Sequence, residues 1–196
     1  SNKRRQRKGM PLLRPLYTEE DAIQCLRQFR IVGYNTEYQI SEDISLLLTD
    51  VGHIIGSSAV HLSITEDGKT SRITYSGDVG RYGDLILKSP EKFPQSDYIL
   101  LESTYGDSLH DDAEPSEALL KEIIHQTCIL RGGKVIVPAF SVGRTQEILY
   151  SLNHLEEKGV LPDVRYYVDS PLSIKATNVV KSHPENFNKH VQDVML

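Results

Sequence analysis

Three short strings hold the residues best suited to chemistry. Gly52-His53 lies within VGHIIGSSAVHLSI, Gly77-Asp78 closes ITYSGDVG, and Glu102 opens ESTYG at the end of an apolar run. An imidazole and a carboxylate are ligand types of zinc hydrolases, which keep one coordination position open for water. Two metals together can activate that water and stabilise the attacking and leaving oxygens of a phosphodiester. On this reading His53 is a metal ligand and Asp78 a ligand that bridges two metals. Gly52 and Gly56 flank the histidine, and Gly77 and Gly80 the aspartate, so the backbone can approach a compact centre. The residues alone leave plainer readings open: a hydrogen-bonded surface histidine, a Gly-Asp turn, and Glu102 as a strand-end acid in water. The His-x-His cluster that such a site also needs is absent, since no two histidines are spaced i, i+2. The chain therefore reads as part of an enzyme with part of its active site missing.

The elements around these strings change character along the chain. Residues 1–15 are polar and broken by Gly9, Pro11 and Pro15, the pattern of a linker or exposed arm. Thr18-Glu19-Glu20-Asp21 resembles a capping box that opens a helix to about Phe29. A β-rich stretch follows. Residues 44–49 form a short apolar strand, and Val60, Leu62 and Ile64 alternate with polar residues. Glu66-Asp67-Gly68-Lys69 supplies turn chemistry before a return strand over 72–76, so a hairpin is predicted. Residues 98–101 are another strand, ending at Glu102. Beyond it the periods lengthen: helix 115–130, strand 134–138, helix 143–158, strand 164–168 and helix 173–182. That alternation predicts parallel βαβ units with right-handed crossovers. A domain boundary is expected near 107–112, dividing residues 1–108 from 109–196.

Composition places limits on class. The 196 residues are 39% hydrophobic and 25% charged, ordinary for a globular protein able to bury a core. No apolar run approaches the length needed to span a bilayer, so no membrane role is expected. Cys25 and Cys128 stand far apart and fit free thiols in a reducing compartment, which suggests a cytoplasmic location. Charge is uneven: residues 1–14 carry six Lys/Arg and no acid, on a chain of net charge −5. A basic arm can hold phosphates locally, or it can be a solvated segment.

Taken in order, VGHIIGSSAVHLSI, ITYSGDVGR, LLESTYGDSLH and VPAFSVGRTQEILYSL resemble the metallo-β-lactamase-fold nucleases that carry a β-CASP domain. The resemblance runs from about Arg5 to the end of the chain. It implies an α/β fold: a partial metallo-β-lactamase αββα sandwich, then the first part of a parallel-sheet β-CASP domain. It implies a metal-dependent ribonuclease acting on single-stranded RNA through a hydroxide activated by two zinc ions, with a homodimer possible in the full-length protein.

Residue by residue, His53 matches a zinc ligand and Asp78 the bridging aspartate. Glu102 matches an acid that holds a later histidine, thought to protonate the leaving group. A carboxylate that orients an imidazole and raises its basicity is sound chemistry for that task. Ser141 and Arg144 sit at a strand-to-helix turn that can receive a phosphate; Arg144 can equally form a structural ion pair. His110 matches a position near the domain junction, as a hinge, a substrate contact or neither. Asp169-Ser170-Pro171 matches a family string whose expected task is a turn and a helix start. The family's H-x-H-x-D-H cluster is missing, so the chain resembles an internal fragment, inactive alone and unable to hold zinc tightly with His53 and Asp78 only. Two other readings stay open: a non-catalytic nucleic-acid-binding paralogue, and a small-substrate hydrolase of the same fold.

Overall fold

The computed structural model describes residues 2–108 and 116–195, and it divides into two units, Ser1–Gly33 and Tyr34–Leu196. In the first unit, α1 (Asn2–Arg7) forms within the segment expected to be an exposed arm. The reason is local: Asn2 and Leu13 exchange two hydrogen bonds, and the Arg5 guanidinium donates to the Pro11 carbonyl at 2.7 Å. The second helix, α2 (Glu19–Leu26), is opened by the Thr18–Asp21 capping box and stops short of Phe29. Three acids in its first turn suit the positive end of the helix dipole.

The second unit is built on one five-stranded sheet in the order β1 (Tyr38–Ser41), β2 (Ile44–Asp50), β3 (Ser58–Glu66), β4 (Lys69–Tyr75), β5 (Tyr98–Leu100). The first three pairings are antiparallel and β4–β5 is parallel. The predicted hairpin is β3–β4. Its two-residue turn, Asp67-Gly68, has positive φ at both positions, as a twist-matched hairpin turn requires. β1 and β5 are the edge strands, and Tyr98, Ile99 and Leu100 of β5 are exposed.

The α/β character holds, but the described residues contain a single sheet, and the second half differs from its βαβ expectation. Residues 134–138 and 164–168 carry no strand ladder. A strand exists only through a hydrogen-bonded neighbour. Here both segments line one cavity of about 750 Å³, with Leu120, Ile124 and Leu152 on its wall. The predicted helices do form. They are α3 (Ser116–Ile124), continued by a π-helical stretch (His125–Leu130), α4 (Arg144–Glu157) and α5 (Pro171–Lys181). A final helix, α6 (Lys189–Met195), lies beyond the expected elements. Among the described residues no helix is long and apolar enough to cross a membrane, and both cysteines are free.

The apolar core joins distant parts of this unit. Ile86 packs with Val180 of α5, Phe187 and Val191 of α6. Backbone bonds from Lys88 to Asn186 and from Asn188 to Ile86 zip the C-terminal segment onto residues 86–88. A polar counterpart lies in the sheet. Buried His61 on β3 is held between the Thr49 and Thr74 hydroxyls at 2.9 and 2.8 Å, with Phe93 edge-on at 5.6 Å.

Burial pushes the His61 imidazole below its ordinary value. The unfolded chain then binds a proton near pH 6.5 that the folded chain refuses, so stability falls as pH drops below about 6.5. Denaturant midpoints between about pH 7.5 and 5.5 should show this loss, up to the one-proton limit of about 1.4 kcal/mol per pH unit. His61→Gln should flatten the slope over that interval; an unchanged slope would remove His61 as its source.

Candidate active site

The site forms where three strands end on the same side. β2 ends at Asp50, and its buried carboxylate accepts the Gly52 N–H at 2.8 Å, turning the chain toward His53. Burial raises the Asp50 carboxyl above its usual range, with the Gly52 hydrogen bond opposing. The Ser57 hydroxyl then accepts the N–H groups of His53 and Ile54, at 3.1 and 3.2 Å. β4 runs into Ser76, which is fully buried. The Ser76 hydroxyl accepts the Glu102 N–H at 3.0 Å and donates to the Gly77 carbonyl at 2.7 Å. One side chain thereby ties the Asp78 loop to the end of β5.

The three expected residues converge. His53 Nε2 lies 3.8 Å from Asp78 Oδ2, and the side chains are 44% and 74% exposed, so both remain open to a ligand. Glu102 Oε1 accepts the Val79 N–H at 2.6 Å, beside Asp78. That bond and the Thr104 hydroxyl hold the Glu102 carboxyl below its usual range. It is therefore ionised across neutral pH and available to an imidazole or another N–H donor.

Glycine sets how closely the two loops approach. A Cβ on Gly80 would lie 2.1 Å from the Gly52 carbonyl oxygen and 2.8 Å from the His53 nitrogen. Gly80 N–H also donates to the Val51 carbonyl at 2.8 Å. Gly52, at φ +60, has the Lys88 carbonyl where a Cβ would stand.

The α4 end adjoins this centre. The position of a Cβ on Gly143 is 3.4 Å from the Ile54 side chain, and Gly143 caps α4 with no side-chain hydrogen bond. Arg144 donates to Glu147 at 2.6 Å, and Arg81, from the loop after Asp78, reaches the same carboxylate at 3.9 Å. Arg144 thus forms the ion pair left open by its sequence. The Ser141 carbonyl accepts from Gln146 Nε2 at 3.1 Å. Ser170 caps α5 by accepting the Ser173 N–H, so Asp169-Ser170-Pro171 makes the helix start expected of it. His110 lies outside the described residues.

Sequence reasoning passed over Asp50, Ser76, Arg81 and Glu147. Two of these have a local signature: Asp50 stands two residues before Gly52, the spacing of an Asx-turn, and Glu147 stands at i+3 from Arg144.

Zinc tests the site in kind and in number. An imidazole nitrogen and a carboxylate oxygen are suitable donors, but among the described residues no group of three His, Cys, Asp or Glu could hold a metal ion. The pair falls short of the three protein ligands a catalytic zinc takes.

Comparison with known proteins adds a separate line. A family profile described as "Beta-Casp domain" matches residues 145–195. The chain is similar to an RNase J-like protein of Methanocaldococcus jannaschii, at 35% identity over 184 residues. It is also similar to the transcription termination factor FttA of Thermococcus kodakarensis, at 36% over 183 residues. The endoribonuclease YSH1 of Kluyveromyces lactis is 30% identical over 183 residues. These alignments cover 91%, 91% and 90% of this chain, but only 42%, 27% and 23% of the relatives, so the chain spans less than half the length of each.

Gly80→Ala should separate the His53 and Asp78 loops, because the atoms in the way are backbone. The expected cost is about 1–3 kcal/mol, the range for overpacking a filled site, read as a lower denaturant midpoint. Gly68→Asn, in an open turn at φ +73, should change stability by no more than about 0.5 kcal/mol. Equal effects at the two positions would contradict the close-approach account.

Proposed function

We propose, for a chain that belongs to the β-CASP family, that it forms part of a zinc-dependent ribonuclease hydrolysing RNA phosphodiester bonds. The observation that carries this reading is the convergence of His53, Asp78 and Glu102 at the ends of β2, β4 and β5. RNA as substrate class follows the names of two relatives, a ribonuclease-like protein and an endoribonuclease.

The donors present suit zinc in kind and fall short in number. We therefore assign His53 and Asp78 two ligand positions, and place the others in parts of the parent protein beyond these residues. When bound, zinc supplies a Lewis acid and acidifies water. The chain's own residues do the positioning. Asp50 and Ser57 orient the His53 loop, and Ser76 couples the Asp78 loop to Glu102. Glu102, ionised and beside Asp78, is placed to receive the N–H of an imidazole and hold it toward a departing oxygen. Arg144 keeps further N–H donors after its bond to Glu147, so with the α4 N-terminus it suits a phosphate of the bound strand. In the parent we expect 134–138 and 164–168 to be strands of a parallel β-CASP sheet, and the β1–β5 sheet to be one layer of the αββα sandwich.

Elemental analysis and RNA hydrolysis by the full-length parent test this. The parent should carry about two zinc ions per chain, and residues 1–196 alone essentially none. Asp78→Ala should remove both zinc and activity. Glu102→Ala should keep the zinc and lose about 10²–10⁴-fold in rate, the usual share of a proton-transfer group. A parent that binds no zinc and cleaves no RNA would replace this reading with a nucleic-acid-binding one. An active Glu102→Ala variant would remove the role given to Glu102.

A further inference from the structure

The two compact units carry opposite charge. Residues 1–33 hold eight Lys/Arg against three Asp/Glu, whereas residues 34–196 hold 14 against 24. Within the first unit the positive charge is concentrated further: Lys3, Arg4, Arg5, Arg7, Lys8 and Arg14 fall among 14 residues that contain no acid.

This segment is built rather than loose. α1 carries three of the arginines, and the chain after it folds back. Lys8 and Gly9 N–H groups bond to the Arg5 and Gln6 carbonyls, and Met10 N–H returns to Arg5 at 3.0 Å. The reciprocal Asn2–Leu13 bonds and the Arg5–Pro11 bond close the loop. Lys3, Arg4, Arg7, Lys8 and Arg14 are exposed, and none forms an ion pair among the described residues. Exposed cations without an ion pair, carried on a short folded segment, can neutralise the phosphates of a polyanion. α1 is Asn-Lys-Arg-Arg-Gln-Arg and lacks the apolar residues that an interfacial membrane helix inserts.

We propose that residues 2–14 form a second RNA-binding element that grips the phosphates of a single strand. The identity of the polymer rests on the ribonuclease reading above. The binding mode rests on charge, so it should fade steeply with salt and show little sequence preference.

The test is fluorescence anisotropy of a labelled oligouridylate of about 20 nucleotides, titrated with residues 1–196 between about 50 and 200 mM salt. Arg4, Arg7 and Lys8 are replaced together by Gln; none is buried, so an unchanged thermal melt confirms folding. The expected result is at least a tenfold loss of affinity at low salt. The plot of log affinity against log salt should become shallower by about 2, from about 0.7 per lost phosphate contact on a single strand. Arg4→Lys with Arg7→Lys keeps the charge and should keep the slope. Unchanged affinity and slope in the triple variant would overturn the proposal. So would a triple variant that loses binding only to phosphatidylserine-containing vesicles while its RNA binding stays intact. The ribonuclease reading fails separately. A parent that cleaves no RNA, beside a chain that binds RNA through this arm, leaves the arm standing. A parent that cleaves RNA, beside a triple variant that binds like the wild type, removes the arm alone.

Discussion

The site depends on two stretches of backbone approaching more closely than any side chain would allow. Gly80 lies against the Gly52–His53 peptide, where an added Cβ would overlap the Gly52 carbonyl. Gly52 in turn lies against the Lys88 carbonyl. These contacts place the end of β2 beside the loop after β4, and that fixes the separation of His53 from Asp78. Hydrogen bonds then set direction. Asp50 turns the chain into His53 and Ser76 holds Glu102 beside Asp78. Both polar groups are buried, so each bond satisfies a group whose desolvation would otherwise cost about 1–3 kcal/mol.

The second half contributes through packing as well as through α4. Ile86 lies on the chain between Asp78 and β5, yet its core partners, Val180, Phe187 and Val191, come from the C-terminal helices and their connection. Leu87 and Phe187 form an isolated antiparallel bridge at the same place. The segment that follows the Asp78 loop is therefore anchored by α5 and α6, while Arg81 reaches Glu147 on α4. Disturbing the helices would reach the site along this route, even though none of them supplies His53, Asp78 or Glu102.

Much of this was legible in the sequence wherever the signal is local. The β3–β4 hairpin announced itself through alternation and Asp67-Gly68, and α2 through Thr18 and Asp21, because turn and cap chemistry need only neighbouring residues. His53, Asp78 and Glu102 were legible as ordered strings. Ser76 was not, because its role comes from lying across the sheet from Glu102, a relation between residues 26 apart. The short α1 was missed because its stabilising bonds run from Asn2 to Leu13 and from Arg5 to Pro11, a pattern no helical period reveals. Residues 134–138 and 164–168 illustrate the converse. Their apolar runs predict strands, but a strand forms only with a paired neighbour, and pairing is not a property of either segment alone.

Charge sets the remaining constraint on any function that involves a polyanion. The unit bearing the site has more acids than bases, so its overall field repels nucleic acid. At physiological salt that field is screened beyond about 8 Å, and contact is decided by charges within that range. The cations beside the α4 N-terminus, Arg81 and Arg144, share the Glu147 carboxylate, and Arg81 also pairs with Asp84 at 3.8 Å. Two guanidiniums against two carboxylates balance, so what remains at this edge is the positive end of the α4 dipole. An acidic body with one locally balanced edge would repel an anionic strand over most of its surface and repel it least at that edge. Repulsion relieved at one place would favour a strand presented in one orientation over a strand held everywhere.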